Sequence, residues 1–260
     1  MNAFKHHFVF EFKTGLRNSS QLLMNYLFPL TFYSMMGLVM TQINPTFKDT
    51  ITPAMIVFAV LSSAILGLPG PAVQAREAGV YRSYKINGVP VFSILSIPAL
   101  TSVFHVLIVA TIITLTAMSL FGGTAPVNWG SFVLVTLLTA FACSAIGSLI
   151  SVMASNPQSS VLLSQLIFLP SMLLGGLMVP ANMLPESVRV ISALLPASYA
   201  MQAYLGLAYN QPTVMDPRLA VAVLVVGGTL AFAVAVRLFR WDNQNHSRRM
   251  RPLIGAPKLR

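Results

Sequence analysis

Six long stretches of this sequence carry almost no charge, and they limit the possible folds more than any other feature. Each approaches or exceeds 20 residues, roughly the length of α-helix that crosses the hydrocarbon core of a bilayer. A soluble fold needs charged residues to cover its surface, yet only 8% of the 260 residues are charged and 55% are hydrophobic. The pattern therefore predicts an all-α integral membrane protein with six transmembrane helices. The stretches are 22–43, 52–73, a segment within 91–121, 131–154, 161–179 and 219–239.

The Lys and Arg residues are unevenly shared between the connecting segments, which predicts an orientation. If the N-terminus is inside, the 16 basic residues divide into 13 on the inner side and 3 on the outer side. Because cytoplasmic loops collect Lys and Arg, we expect both termini to be cytoplasmic in a multi-pass protein of the cell (inner or plasma) membrane. The same rule explains the basic composition without a nucleic-acid partner. The inner segments are 1–21, 74–90, 155–160 and 237–260.

Two further helical features are predicted outside the six spans. Phe4, Phe8 and Phe12 recur every four residues beside basic residues, a spacing typical of an amphipathic helix in the membrane interface. Residues 180–204, between helices five and six, are too short to span and too apolar for an ordinary loop. We expect short extracellular re-entrant helices there, or else a helix that lies flat on the surface. The chain is thus one transmembrane domain, 1–260, with an interfacial helix at 1–21, a six-helix bundle at 22–240 and a basic cytoplasmic tail at 241–260.

Prolines and small residues give more local predictions. The GLPGP stretch at 67–71 should break the second helix, and Pro98 and Pro170 predict kinks or half-helices. In the fourth span, small residues recur at every fourth position in two rows, which favours close helix contact either within one chain or between subunits. The rows are Ala140, Ser144 and Ser148, and Gly147, Ser151 and Ser155.

Motifs that would give the chain its own catalysis or energy source are absent from the sequence. It has no G-x-x-x-x-G-K-[ST] phosphate loop, no H-E-x-x-H and no G-x-S-x-G, so no catalytic, cofactor or metal site is predicted. Ion-driven transporters usually keep a buried ionisable group on their pathway, and none of the six acids falls within a predicted span. The candidate pathway residues are His105, Asn156 and Gln165. His105 either lines a pathway and binds a proton, or is an imidazole hydrogen-bonded to a neighbouring helix.

The segment 74–90, QAREAGVYRSYKINGVP, is a charged and aromatic island between two apolar spans. We predict a short helix with Arg76 and Glu77 exposed at its start, stopped by Gly88 and Pro90. Tyr and Arg are favoured interface anchors, so this helix is suited to docking in a groove of a soluble subunit. The alternative is a plain cytoplasmic loop that needs no partner. The residues along one side of the predicted helix are Ala75, Ala78, Tyr81 and Lys85.

The arrangement resembles the permease subunits of type-two ABC exporters. In that family a stretch of the form E-R-E-x-G, followed by basic residues and a proline, lies between the second and third helices. Here Ala75 stands where the family often has a second acid. The matching residues are Arg76, Glu77, Gly79, Arg82, Lys85 and Pro90. A second run, 156–204, resembles the family's fifth helix and the segment after it, through Asn156, Pro170, Gly175, Gly176, Pro180, Leu184, Pro185, Leu195, Pro196 and Tyr199.

The resemblance implies a half-transporter. Two permeases, identical or different, would pair with two copies of an ATP-binding subunit, which carries the ATP while this chain binds no cofactor. The island would be the coupling helix that receives the ATPase motion, and the N-terminal helix would lie beside it. The implied coupling residues are Arg76, Glu77, Gly79, Tyr81, Arg82, Tyr84 and Lys85. The implied residues of an extracellular re-entrant gate are Pro180, Leu184, Pro185, Leu195, Pro196 and Tyr199.

We therefore expect a permease subunit of an ATP-driven exporter that forms the translocation pathway as a dimer and is not itself an enzyme. Spans that offer aromatic and methionine side chains without fixed charge suit a lipophilic or amphiphilic cargo, such as a drug or a lipid. The alternative is a stand-alone secondary transporter or channel. A membrane enzyme or assembly factor is the third hypothesis, and it lacks every catalytic motif named above.

Overall fold

The computed structural model describes residues 2–241, and all regular structure within that range is helical. The basic tail predicted at 241–260 lies outside the described residues except for Trp241. Short 3-10 turns cover Pro45–Asp49 and Ala181–Met183. The helices are α1 (Asn2–Arg17), α2 (Ser19–Ile43), α3 (Ile51–Glu77), α4 (Val80–Ile86), α5 (Val91–Leu120), α6 (Trp129–Met153), α7 (Pro157–Leu174), α8 (Glu186–Ser192), α9 (Pro196–Ala208) and α10 (Pro217–Leu238).

Between residues 2 and 241, six helices are long and apolar enough to cross a membrane: α2, α3, α5, α6, α7 and α10. Each coincides with a predicted stretch, so the all-α membrane protein with six spanning helices is confirmed. The bent pair α8 and α9 would add a seventh span if it were counted as one. The largest shift in bounds is in α7, which ends at Leu174 rather than 179, because Gly176 takes a left-handed φ of 86°.

Helix α3 occupies the centre of the bundle. In its most apolar 18-residue stretch, 94% of the residues are buried, against 28% in α2 and 22% in α7 and in α10. A helix that is apolar all round is stable only when it is surrounded, and α3 packs against α2, α5, α6, α7 and α9. The chain passes from α3 into α4 after two residues, so α4 is connected directly to the central helix.

Small residues let α6 approach its neighbours closely. A Cβ on Gly147 would lie 2.0 Å from the carbonyl oxygen of Ala64 on α3, and one on Gly228 of α10 would lie 2.9 Å from the Cα of Ala142. The row formed by Ala140, Ser144 and Ser148 is also buried inside the chain. Of the two interpretations of the small rows, packing within one chain is therefore the one that the structure favours.

The proline-based predictions are met in part. Within α3 the regular α-helix is interrupted by a π-turn at Ser62–Gly67 and a turn at Leu68 and restarts at Pro69, so the GLPGP stretch interrupts the helix without ending it. Helices α5 and α7 run through Pro98 and Pro170 without splitting into half-helices, and a kink at either proline stays a prediction. A second π-turn, Leu23–Leu27, lies in α2 and packs against the one in α3.

The two ends of the bundle carry different elements. One end, called the α4 end, holds α1 and α4 together with the last residues of α3, α6 and α10. The other, called the α8 end, holds the 3-10 turn Pro45–Asp49, the connection 121–128, and α8. At the α8 end, the N–H groups of Val127 and Asn128 both donate to the Ala208 carbonyl, at 2.8 and 3.0 Å. These bonds join the connection that precedes α6 to the last residue of α9.

Candidate functional site

The island folds as the end of α3, a sharp turn and the separate helix α4. Gly79 has a left-handed φ of 75°, which ends α3 and starts α4 at Val80. Gly88, with a φ of 70°, and Pro90 follow α4 and precede α5. The predicted continuous helix is therefore wrong, since the turn at Gly79 changes which side chains share a face. The predicted stop at Gly88 and Pro90 agrees with the end of α4 at Ile86.

Arg76 points into the protein, which corrects the prediction that it is exposed. Its side chain is 6% exposed. The guanidinium donates hydrogen bonds to the carbonyls of Ser151 at 3.1 Å, Val152 at 3.4 Å and Ala154. These carbonyls lie at the end of α6, where they have no partner within the helix. A positive charge there also interacts favourably with the helix dipole. Arg76 therefore joins the end of α3 to the end of α6.

The inner side of α4 packs against the end of α10. The Tyr81 ring is buried, 5.4 Å from the Phe239 ring and 6.4 Å from the Tyr84 ring, measured between centroids. Lys85 Nζ lies 5.9 Å from the centroid of the Trp241 ring, a cation–π distance. Burial raises the pKa of the Tyr81 phenol, and the nearby Glu11 carboxylate raises it further. Helix α4 is thus attached by aromatic contacts to the residues that follow α10, while Arg76 attaches the preceding end of α3 to α6.

The end of α3 and helix α4 together present a mixed charged and apolar surface. Glu77 is exposed there, as the sequence predicted, and so are Arg82 and Lys85. Ile86, the last residue of the helix, is 80% exposed. The sequence reasoning did not select it, although an isoleucine next to basic residues at a helix end was a usable signal. We call Glu77, Arg82, Lys85 and Ile86 the α4 surface. Of the seven predicted coupling residues, four do not belong to it: Arg76 and Tyr81 are buried, and Gly79 and Tyr84 are half-buried.

The apolar stripe of α1 packs on α5. The Phe8 ring meets Phe104 at 5.2 Å, and the Phe12 ring stacks on His105 at 4.7 Å. The third member of the predicted stripe, Phe4, lies outside the described side chains. The stripe was expected to face the membrane interface, whereas these two rings contact the chain's own third span. The opposite face of α1 exposes Val9, Phe10 and Leu16.

His105 lies in a contact between three helices. Its Nδ1 is 2.6 Å from the Tyr26 hydroxyl of α2, and its ring is 3% exposed. Of the two interpretations of His105, the structure agrees with the one in which the imidazole is hydrogen-bonded to a neighbouring helix. A role of His105 in a pathway stays a prediction. The two other candidate pathway residues lie apart from it. Asn156 caps the start of α7 by accepting the Ser159 N–H at 2.8 Å, and Gln165 is half-buried within α7.

A cavity of about 380 Å³ lies at the α4 end, lined by α1, α2, α3, α4 and α5. We call it the α1–α4 cavity. Its lining includes Glu11 from α1, Asn25 from α2 and His105 from α5, but neither Asn156 nor Gln165. Burial raises the pKa of Glu11. Tyr81 and Tyr84 of α4 also line the cavity, so any occupant would touch α4 directly.

At the α8 end, α8 and α9 form a bent pair with an angle of 97° between them. The Tyr199 hydroxyl donates to the Ala193 carbonyl at 2.5 Å, and Ser192 Oγ donates to the Leu174 carbonyl at 2.7 Å. The first bond joins α9 to the end of α8, and the second attaches α8 to the end of α7. Whether the pair enters a membrane, as predicted, or lies flat stays a prediction.

The predicted gate residues do not form one surface. Leu184 and Leu195 are buried, Tyr199 is half-buried, and Pro185 is exposed where it caps α8. Pro196 is the first residue of α9. Pro180 lines a second cavity of about 360 Å³ at the α8 end.

Most of these elements lie in the part of the chain that is similar to known proteins. Residues 2–209, which contain α1 to α9, match the family described as ABC-2 type transporter. A protein of Bacillus subtilis (strain 168) named "Putative transport permease YvfS" is 26% identical over 201 residues, which is 76% of this chain and 82% of that protein. Both similarities include the segment that holds α4.

Proposed function

The chain belongs to the ABC-2 type transporter family as a multi-pass membrane permease subunit, and we propose that it works in an exporter powered by a separate ATP-binding subunit that docks on the α4 surface. Members of this family are membrane subunits that act with an ATP-binding partner. We further propose that two permeases form the pathway and that two ATP-binding subunits serve them. ATP would be held by the partner, and no cofactor by this chain.

The position of α4 is the observation that supports docking there. The α4 surface combines the exposed Ile86 with the charges of Glu77 and Arg82, a mixture suited to an interface that buries an apolar residue inside a charged rim. The end of α3 that leads into α4 is tied to α6 through Arg76, and α4 itself packs through Tyr81 on Phe239, which follows α10. A displacement of α4 would therefore act on three spans, α3, α6 and α10, which is what a transmission element has to do.

The proposed orientation puts the α4 end in the cytoplasm. The 13 to 3 distribution of basic residues supports it, since an ATP-binding subunit works where ATP is. The membrane would be the plasma or inner membrane of the cell. The short connections at the α8 end leave no platform for a large cargo-delivering domain, which supports export. The largely uncharged spans suit a lipophilic or amphiphilic cargo.

The docking proposal is tested by co-purification with the ATP-binding subunit. The full chain is tagged and extracted from its native membranes, and the partner is identified as a protein that carries a phosphate-loop motif. We expect the double change Glu77→Lys with Arg82→Glu, and separately Ile86→Asp, to lower the recovered partner about tenfold or more, as for central interface residues. The variants should keep the gel-filtration profile of the wild type.

The matched control is Val127→Asp, which places the same charge on a residue 72% exposed at the α8 end. It should leave recovery of the partner unchanged. Normal recovery with both α4 variants would rule out docking on the α4 surface. Equal loss with Val127→Asp would mean that the effect is not specific to α4.

A further inference from the structure

The α1–α4 cavity differs in charge from the rest of the chain. The sequence has 16 Lys and Arg against 6 Asp and Glu. Among the described side chains that line this cavity, however, there is one acid, Glu11, and no Lys or Arg. The cavity therefore has an acidic lining at the end of the protein where basic residues are concentrated. Such a lining attracts cations and repels anions.

The side chains around Glu11 are suited to an organic cation. Tyr81 and Tyr84 line the same cavity, and both are close enough to Glu11 for its charge to raise the pKa of their phenols in addition to the effect of burial. A carboxylate next to aromatic rings supplies both a counter-ion and cation–π contacts. Phe10 and Ile94 add apolar surface to the lining.

The part of the cavity that is lined by the two π-turns is neutral and polar. Asn25 lies in the π-turn of α2 and Ser63 in that of α3, and both line the cavity. Ser62 Oγ donates to the Met24 carbonyl at 2.5 Å, which joins the two turns, and the hydroxyls of Ser63 and Ser102 lie 2.9 Å apart. Such π-turns cost regular hydrogen bonding and occur frequently at functional sites.

We propose that the α1–α4 cavity binds an amphiphilic organic cation, with Glu11 as its counter-ion and Tyr81 and Tyr84 against its charged group. The volume of about 380 Å³ falls within the range of about 300–1,000 Å³ that is common for small-molecule sites. That this cation is the cargo rests on the proposed function, whereas its binding does not. Because two of the contacting residues belong to α4, an occupied cavity would also be sensed by the α4 surface.

The test is direct binding of tetraphenylphosphonium to the full chain in lipid nanodiscs, measured by equilibrium dialysis against empty nanodiscs. Tetraphenylborate, of the same shape and opposite charge, is the control probe. We expect saturable binding of the cation and none of the borate. Glu11→Gln should weaken binding about tenfold or more, as for loss of one partner of a partly buried charge pair, while Glu11→Asp should retain most of it. Glu186→Gln, at the α8 end, should bind like the wild type.

A pH titration of the wild type tests the same assignment without a substitution. The titratable groups that line the cavity with Glu11 are Tyr81 and Tyr84 from α4 and His105 from α5; the described lining from α2 and α3 has none. Burial raises the pKa of Glu11 above 4.5, so cation binding should be weak in acid and strengthen as the pH rises through that raised value.

Two results would overturn the proposal. One is cation binding by Glu11→Gln equal to that of the wild type, and the other is binding of tetraphenylborate as tight as that of the phosphonium. Neither result touches the docking of an ATP-binding subunit on the α4 surface, which the co-purification experiment measures separately. If the co-purification experiment showed that no ATP-binding subunit docks on the α4 surface, saturable cation binding would still be expected.

Discussion

Arg76 shows how a single side chain can connect the island to the bundle. The family resemblance placed it among the residues that receive motion from an ATPase, yet its guanidinium is bonded to three carbonyls of the same chain at the end of α6. Any contribution to coupling would therefore be indirect, through the position of α6 relative to α3. The exposed residues of this region are those of the α4 surface.

Replacing Arg76 with alanine should destabilise the folded chain. The carbonyls of Ser151 and Val152 would lose a charged donor, and leaving a buried acceptor unsatisfied costs about 1–3 kcal/mol. We expect a loss of about 2–3 kcal/mol in the free energy of unfolding, measured by denaturant titration in detergent micelles. Arg240→Ala, an exposed arginine at the same end, should change it by less than about 0.5 kcal/mol. Equal stability of the two variants would contradict the role given to Arg76.

The residues of the island show what sequence reasoning could find. Charge correctly identified Glu77 as exposed, because charged side chains are rarely buried without partners. It failed for Arg76 because the partners are carbonyls 75 or more residues away in sequence. The assumed continuous helix also hid the inward position of Tyr81, since the left-handed Gly79 resets the helical phase.

At the scale of helices, the fold depends on how closely α6 approaches α3. The Ala64 carbonyl lies where a side chain at position 147 would begin, so these two backbones meet without any side chain between them. Close approach of this kind replaces the hydrophobic driving force that helices lack inside a bilayer. It fixes the position of the central helix, and therefore of α4.

Gly147→Ala should force α3 and α6 apart. A Cβ 2.0 Å from a carbonyl oxygen cannot be accommodated by rotating a side chain, and overpacking of this kind typically costs about 1–3 kcal/mol. We expect a lower thermal unfolding midpoint. The matched control is Gly227→Ala in α10, where a Cβ would meet nothing within 4 Å and the alanine favours the helix. A Gly147→Ala variant as stable as Gly227→Ala would show that the close contact is not required.

The elements themselves were largely predictable, and the exceptions have a common cause. Length and lack of charge were enough for the six spans, because both properties are fixed by the bilayer. The π-turns Leu23–Leu27 and Ser62–Gly67 could not be predicted, since they depend on how α2 and α3 pack against each other. The continuity of α5 through Pro98 likewise depends on packing by neighbouring helices.

For the molecule as a whole, force applied to α4 would reach the spanning helices α3, α6 and α10 through a few short contacts. Helix α4 follows the central helix α3, whose last turn is joined to α6 through Arg76, and it contacts Phe239 and Trp241 after α10. The candidate cation site touches the same helix from the inside. Work done on α4 by a partner and occupancy of the cavity would therefore influence each other, as two ligands of one linked system do.

Site-specific cross-linking at Ile86 tests the central claim most directly. The only cysteine of the sequence, Cys143, is 0% exposed, so Ile86→Cys introduces a single accessible thiol at the tip of α4. After labelling with a thiol-reactive photo-cross-linker in native membranes, we predict a covalent adduct between this variant and a subunit that carries a phosphate-loop motif, and none from Val127→Cys at the α8 end. An adduct with that subunit from Val127→Cys, with none from Ile86→Cys, would contradict the account.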